Sequence, residues 1–409
     1  MKAAHILLFF VGCSIVAAAA DGLNFDRPDP RAAGMNTQRL AAIPTRMKEY
    51  VDAHQTAGIV IIVGRHGKVA SFDAVGYLDI ESHKPMRKDA MFRIASLTKP
   101  ITCAGIMVLA DEGKLSVIDP IEKYLPDYRG IKVNACGGRA GYGCTAMPPL
   151  RPINIEDLMM HTSGLRGSVD INGANPPTSL AELASLGAKT QLLFDPGTHW
   201  SYSNVGYDIL GRIIEIVSKE PYDVFLKEHL FNPLQMHDTY FFVPDQERSR
   251  LATLYTLTDS GLKRAQAQYG SQKTSRIPMP AGGLVSTAED IFRFNMMMRN
   301  GGTLNGQRVL SRAAVQLMTT SHTGDMKAGW SPGVGHGYGY EVVRNADGMF
   351  RYNSIGSFVK GGAYRTYEWV DPDKDLVGVF MMQLTNGGGD TAEEINSFLE
   401  MSAAAIEEN

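Results

Sequence analysis

Ser96-Leu97-Thr98-Lys99, followed by Pro100 and the apolar positions Ile101, Ala104, Ile106, Met107, Val108, Leu109 and Ala110, is the stretch on which the reading of this chain turns. A run that is apolar on nearly every side predicts a helix buried in the middle of a domain, ending near Gly113. Residues three apart on a helix are surface neighbours, so Lys99 is expected to lie over the Ser96 side chain. Burial disfavours the ammonium form, and a neutral Lys99 can take the Ser96 proton and turn the hydroxyl into a nucleophile. Pro100 costs little there, because first-turn N–H groups have no helical partner to lose. On its own the tetrapeptide is a weak signal. Ser-x-x-Lys recurs at Ser260/Lys263 and Ser357/Lys360, and Ser96 also reads as an ordinary N-cap beside a solvated lysine.

Composition bounds the answer without naming it. The chain has 409 residues, of which 44% are hydrophobic and 20% charged, enough for a large core. A formal net charge of -3 with no basic run gives no electrostatic case for nucleic acid. Residues 1–20 read as a secretory signal: Lys2 is the charged start, Ile6 to Val16 the apolar stretch, and Ala18-Ala19-Ala20 the small-residue cleavage site. A competing reading takes Phe10-Val11-Gly12-Cys13 as a lipoprotein acceptor, but it lacks the preferred Leu three residues before Cys13 and would cut the apolar stretch short. No later segment reaches the ~18 consecutive apolar residues of a membrane span, and the expected address is periplasmic or secreted. Cys136 and Cys144 bracket a glycine-rich loop and are expected to pair in an exported protein, whereas Cys103 reads as a small buried hydrophobe. No metal or cofactor motif is present: the cysteine spacing is not that of a zinc site and no His-Glu-x-x-His occurs.

Taken in order, residues 37–54 show helical periodicity, and strands are expected at Gly58–Val63 and Val69–Val75 around an Arg65-His66-Gly67-Lys68 turn. Helices follow at Ile153–Met160, Asn204–Ser218, Tyr222–Leu230 and Thr287–Arg299. Strands return at Tyr364–Val370 and Leu376–Gln383 around Asp371-Pro372-Asp373-Lys374, and Glu393–Ile406 closes as a helix. Strands at both ends with helices between predict an α+β sandwich: an antiparallel sheet of N- and C-terminal segments flanked by helices, with a mainly helical lobe inserted. The expected division of the single domain 21–409 is 36–88 plus 335–409 for the sheet lobe and 89–334 for the helical lobe, with a site in the cleft between them.

Two further motifs sit at structural junctions. Tyr202-Ser203-Asn204 opens a helix, where Ser203 or Asn204 also serves as a plain cap. Lys360-Gly361-Gly362-Ala363 precedes a strand, and its glycines let a ligand or another segment approach the backbone. In this order, together with Lys123-Tyr124-Leu125-Pro126, His161-Thr162-Ser163-Gly164-Leu165, Ala281 to Thr287 and Tyr367 to Pro372, they resemble the serine β-lactamase and penicillin-binding superfamily over residues 37–402. The narrower similarity is to the branch of class C β-lactamases, D-alanyl-D-alanine peptidases and family VIII esterases.

That resemblance implies an acyl-enzyme on Ser96, with Lys99 lowering the cost of removing its proton. It implies that Tyr202 relays the proton, that Lys360 supplies a second positive charge beside it, and that Asn204 holds a substrate carbonyl or fixes Lys99. The backbone N–H groups of Ser96 and Ala363 would form the oxyanion hole, with Gly361 and Gly362 lining it. Gly361 stands where lactamases usually carry Thr, a departure that favours neutral acyl esters over penicillin-like acids. The expected function is therefore an exported serine hydrolase cleaving carboxylic esters through an acyl-enzyme on Ser96, with a small-molecule acyl ester or amide as the substrate partner. The alternatives are a β-lactamase or D-alanyl-D-alanine peptidase, and a non-catalytic scaffold of the same fold. No Ser-Asp-Asn motif supports a class A arrangement.

Gly329-Trp330-Ser331-Pro332-Gly333 matches a nucleophile elbow, but no strand is expected before it and no helix after it. His161, at a helix end, reads as a structural residue satisfying helix-end carbonyls. Trp330 and Tyr364 are candidates for the acyl pocket.

Overall fold

The computed structural model describes residues 23–136, 144–171, 175–267, 277–345, 352–385 and 392–407. The leader at 1–20 and the side chains of Cys136 and Cys144 lie outside what is described, though the backbone pairs those two cysteines across the strands Val133–Cys136 and Cys144–Met147.

An antiparallel sheet dominates the architecture. Among the described residues its eight strands run, in spatial order, Val334–His336, Glu341–Val343, Phe358–Gly362, Thr366–Asp371, Leu376–Met381, Gly58–Arg65, Lys68–Asp79 and Lys84–Pro85. The C-terminal and N-terminal segments meet where Leu376–Met381 pairs with Gly58–Arg65, Ile62 opposite Val379. Side chains alternate between the two faces of a strand. Ile59, Ile61, Val63, Tyr367, Trp369 and Phe380 bury against the helices Thr37–Asp52 and Glu393–Ala404. Val60, Ile62, Phe358, Val370 and Val379 bury on the opposite face against the helix Ala288–Arg299 and the helical region beyond it. Burial on both faces explains why these strands read as continuous apolar runs rather than as an alternating pattern.

The end helices obey their local signals. Asn36 caps the first, its side chain accepting from the Arg39 N–H, and Leu40, Ile43, Met47, Tyr50 and Val51 form its buried face. Inside the helical region, Thr98–Asp111 is buried along nearly its whole length and packs on Asn204–Ser218.

Three expectations are corrected. Lys360, Gly361 and Gly362 lie on a strand of their own, Phe358–Gly362, rather than before one; the next strand starts at Thr366 because Gly362 to Arg365 form the turn, closed by the Arg365 N–H on the Gly362 carbonyl at 2.9 Å. The short strands Val334–His336 and Glu341–Val343 extend the sheet beyond what the sequence signals. The helix expected over Tyr222–Leu230 is α-helical only to Leu226 and then opens into a π-turn, Lys227–Phe231.

Gly378 is a packing requirement. A Cβ there would lie 1.9 Å from Trp369 Cη2, and Trp369 is 1% exposed, at the centre of the core under the end helices. Overpacking of this kind costs about 1–3 kcal/mol. Gly378→Ala is therefore expected to lower the calorimetric Tm, and an unchanged Tm would show that Trp369 has room to move.

Candidate active site

The nucleophile candidate sits on a strained turn. Ala95 to Leu97 form a 3-10 turn ahead of the helix Thr98–Asp111, and Ala95 takes a φ of 45°, in the left-handed region that costs a residue with a Cβ. Ser96 does not cap the helix. The cap position is Leu97, with no side-chain hydrogen bond, so the Ser96 hydroxyl is not committed to the backbone, contrary to the N-cap reading. Thr366 Oγ1 donates to the Ile94 carbonyl at 3.0 Å, tying this turn to the sheet. Gly362 is required there, since a Cβ would meet that same carbonyl at 2.5 Å and Thr366 Oγ1 at 2.2 Å.

Lys99 lies over Ser96 and is fully buried. Its Nζ donates to Asn204 Oδ1 at 2.8 Å, to the Ala281 carbonyl at 2.6 Å and to Ser96 Oγ at 3.2 Å. Burial pushes this amine below its ordinary value, and the nearby positive charge of Lys360 acts in the same direction. Asn204 and Ala281 hold Nζ more closely than Ser96 does, so the contact to Ser96 Oγ is the longest of the three.

Tyr202 and Asn204 reach the site because Ser203 takes the cap. Ser203 Oγ accepts from the Gly206 N–H at 3.2 Å and donates to the Arg166 carbonyl at 2.7 Å. The Tyr202 hydroxyl then donates to Ser96 Oγ at 2.7 Å. Two lysines flank the Tyr202 ring: Lys99 Nζ is 4.7 Å from its centroid and Lys360 Nζ 5.3 Å. Lys360 is buried on its strand, Gly361 is half-buried, and Ala363 is exposed at the turn that follows. Ser96, Lys99, Tyr202, Asn204 and Lys360 are thus brought together, with Gly361, Gly362 and Ala363 at the adjoining strand end.

Behind Tyr202 stands a ring cluster. His161 is buried with a φ of 63°, its centroid 4.3 Å from that of Tyr202. Its Nδ1 accepts from the Ser203 N–H at 3.0 Å, which puts the proton on Nε2. The expected bond to helix-end carbonyls is replaced by this one, which fixes the junction carrying Tyr202. Burial, together with the charges of His336, Lys360 and Lys99, holds His161 well below the ordinary histidine range. His336, 5.2 Å away ring to ring, is pushed down to about 3 by burial. Both rings are neutral at physiological pH.

Trp330 is 62% exposed and stands 5.4 Å from the Tyr202 ring and 5.5 Å from Trp200. Its glycine-rich segment has no strand before it and no helix after it, so it is not an elbow, yet it sets an apolar ring at the mouth of the site. Tyr364 packs on Ala95 and Leu254 behind the turn that carries Ser96. The Ala281 carbonyl and the ring of His336 carry no sequence signal of a role, although Ala281 lies in a stretch that supports the resemblance. Two buried acids complete the surroundings. Asp208, one turn after Asn204, is pushed up to about 8 by burial, against the opposing pull of Lys99. Glu368 lies beside Lys360 on the adjacent strand.

A family profile described as Beta-lactamase matches residues 43–398. The chain belongs to the beta-lactamase family. Protein Rv1367c of Mycobacterium tuberculosis is 34% identical over 360 residues, which span 82% of this chain and 88% of the relative. Esterase EstB of Burkholderia gladioli is 30% identical over 238 residues, 54% of this chain and 56% of its own. In fold, the chain is similar to EstCE1, described as a hydrolase with promiscuous acyltransferase activity, with a TM-score of 0.75 and 24% identity over 90% of this chain and 99% of that one. This is a serine hydrolase family of β-lactamase fold that includes esterases and penicillin-binding proteins.

The depressed Lys99 makes a signed prediction. Between its folded value and the ordinary 10.5, the unfolded chain holds a proton that the folded chain lacks, so this residue's contribution to stability rises with pH across that window. Lys99→Met removes the contribution. The Tm of the variant minus that of the wild type is expected to fall steadily as pH rises through the window, and a constant difference would show that Lys99 folds fully charged.

Proposed function

We propose that this protein is an exported serine hydrolase that cleaves carboxylic esters through an acyl-enzyme on Ser96. The observation that carries the reading is the convergence of the Tyr202 hydroxyl and the Lys99 amine on Ser96 Oγ, at 2.7 and 3.2 Å. In the first half-reaction the Oγ–carbonyl bond forms while the Ser96 proton passes to the Lys99–Tyr202 pair. As the C–O bond to the alcohol breaks, Tyr202 returns a proton to the departing oxygen. Water repeats the cycle on the acyl-enzyme, releasing the acid and restoring Ser96. The N–H groups of Ser96 and Ala363 would hold the carbonyl oxygen as it gains charge. Losing one such donor typically costs about 2.7–4 kcal/mol in the barrier.

Three features support a neutral ester over a penicillin-like acid. Gly361 brings no hydroxyl to help hold a carboxylate, Trp330 offers an apolar surface at the mouth, and one relative bears the name esterase. Lys360 is the specific feature that favours the second reading, a β-lactamase or D-alanyl-D-alanine peptidase, because a buried cation beside the nucleophile suits a substrate carboxylate. Export rests on the pattern of Lys2, Ile6 to Val16 and Ala18 to Ala20.

Hydrolysis of p-nitrophenyl butyrate and of a chromogenic cephalosporin, measured side by side, decides between these readings. The expected result is ester turnover that disappears in Ser96→Ala. Tyr202→Phe is expected to lower kcat/KM on the ester by about 10²–10⁴-fold with the fold intact, the usual contribution of a positioned proton carrier. Cephalosporin turnover without ester turnover would establish the second reading. Full ester activity in Ser96→Ala would remove the nucleophile assignment.

A further inference from the structure

Glu368 is a buried titratable residue beside the site whose chemistry the proposed mechanism leaves unused. It lies in the stretch Tyr367 to Pro372, on the strand Thr366–Asp371, as the direct partner of Lys360 across the ladder. Partners directly opposite on antiparallel strands project from the same face. On the next strand its partner is Val379, which packs toward the helical region, so Lys360 and Glu368 both lie on the face that carries the site. Glu368 is 1% exposed and Lys360 2%. Neither carboxyl oxygen of Glu368 has a hydrogen-bond partner among the described residues, and no ion pair forms at Lys360 among them.

A buried carboxyl without a partner is expensive to leave in place unless it stays protonated. The groups facing it are few. Lys360 comes from one neighbouring strand, Val379 from the other, the Asn295 amide from the helix Ala288–Arg299, and the Tyr340 phenol from the loop ahead of Glu341–Val343. Lys360 is the only cation in that set. The ammonium in turn lies 5.3 Å from the centroid of the Tyr202 ring, whose hydroxyl holds Ser96. A change of charge at Glu368 therefore reaches Ser96 through Lys360 and Tyr202.

We propose that Glu368 is a positioning residue that sets the charge Lys360 presents to Tyr202: protonated, it leaves the ammonium uncompensated, and ionised, it cancels it. Burial pushes Glu368 up to about 8, with Asn295 and Lys360 pulling the other way, so the neutral form is favoured up to that pH. Above it, a negative charge enters a dry region where electrostatic interactions are several times stronger than in water. The positive field that favours loss of the Ser96 proton is weakened there. The site is thus built to work at neutral pH and to lose nucleophilic strength as alkali ionises a residue that touches no substrate. This inference rests on Ser96 being the nucleophile, and not on the identity of the ester.

Glu368→Gln keeps the shape of the protonated acid and cannot ionise. The test is the rate at which a fluorophosphonate labels Ser96, the Oγ–phosphorus bond forming as fluoride leaves, followed from neutral to alkaline pH in both proteins. The expected result is that the variant-to-wild-type ratio of labelling rates rises several-fold as pH passes about 8. A parallel measurement of Tm reads the carboxyl without reference to chemistry. The wild type keeps a proton that its unfolded chain has released above about 4.5, so the Tm of Glu368→Gln minus that of the wild type should grow with pH up to about 8. Parallel Tm curves would overturn the proposal, because Glu368 would then not be a buried acid held neutral. Diverging Tm curves with superimposed labelling profiles would overturn it as well, since the acid would titrate without acting on Ser96. Absence of labelling in both proteins would overturn the nucleophile on which it depends. Normal labelling with no ester turnover would instead remove the esterase reading and leave this one standing.

Discussion

One buried nitrogen organises the molecule. Lys99 is fully enclosed, and an enclosed ammonium or amine is tolerated only where its hydrogens find acceptors. Three distant parts of the chain supply them: the turn carrying Ser96, the first residue of the helix Asn204–Ser218, and the Ala281 carbonyl. The helices behind must pack closely to bring these groups within 3.2 Å of one point. They do so through Thr102, whose hydroxyl meets the Tyr222 hydroxyl at 2.7 Å, and through Cys103, 3.6 Å from the Tyr207 hydroxyl. The apolar character of Thr98–Asp111 follows from the same requirement. A helix wet on one side would leave Lys99 solvated and fully charged.

The sheet contributes the opposite wall, and the join between the two halves is polar and local. Thr366 bonds to the Ile94 carbonyl, and Gly362 leaves room for that carbonyl to approach. This pins the strand end at Gly362 and Ala363 to the strained turn at Ala95. Strain stored at Ala95 is held by the packing of Tyr364 and Leu254 against it, so the turn cannot relax without opening a small core cluster. The position of Ser96 is therefore fixed from the helical side and from the sheet side.

Much of this was legible in the residues. The continuous apolar run after Lys99 marked a buried helix, and the three-residue spacing placed Lys99 over Ser96 even though a 3-10 turn intervenes. The end helices and the N-terminal hairpin followed from periodicity and turn residues. The strands Val334–His336 and Glu341–Val343 were not legible, because three residues are too few to show a period and the surrounding Gly335, Gly337 and Gly339 read as loop. The Ala281 carbonyl left no trace because a backbone acceptor has no side chain to recognise. In the sequence Trp330 is no more than a candidate pocket aromatic, and only the ring distances to Tyr202 and Trp200 place it beside the site. The helix-end position of His161 points to a structural role, but its partner, the Ser203 N–H, belongs to a segment that only tertiary contact brings near.

The charge balance of the site follows from what surrounds it. His161 and His336, which in water would carry charge below the ordinary histidine range, are kept neutral by burial and by the lysines themselves. Asp208 and Glu368, which in water would be ionised, are held up to about 8 by the same burial. Each acid accompanies a lysine: Asp208 shares the helix that delivers Asn204 to Lys99, and Glu368 pairs with Lys360 across the ladder. Had either acid been paired by a direct hydrogen-bonded ion pair, its lysine would have been pinned as an ammonium with its field consumed. Set slightly apart and protonated, the acids fill space near the lysines without spending their charge. The charge around Tyr202 is thus set by desolvation, which neutralises two histidines and favours the protonated form of two acids, as well as by the two lysines that motif spacing identifies.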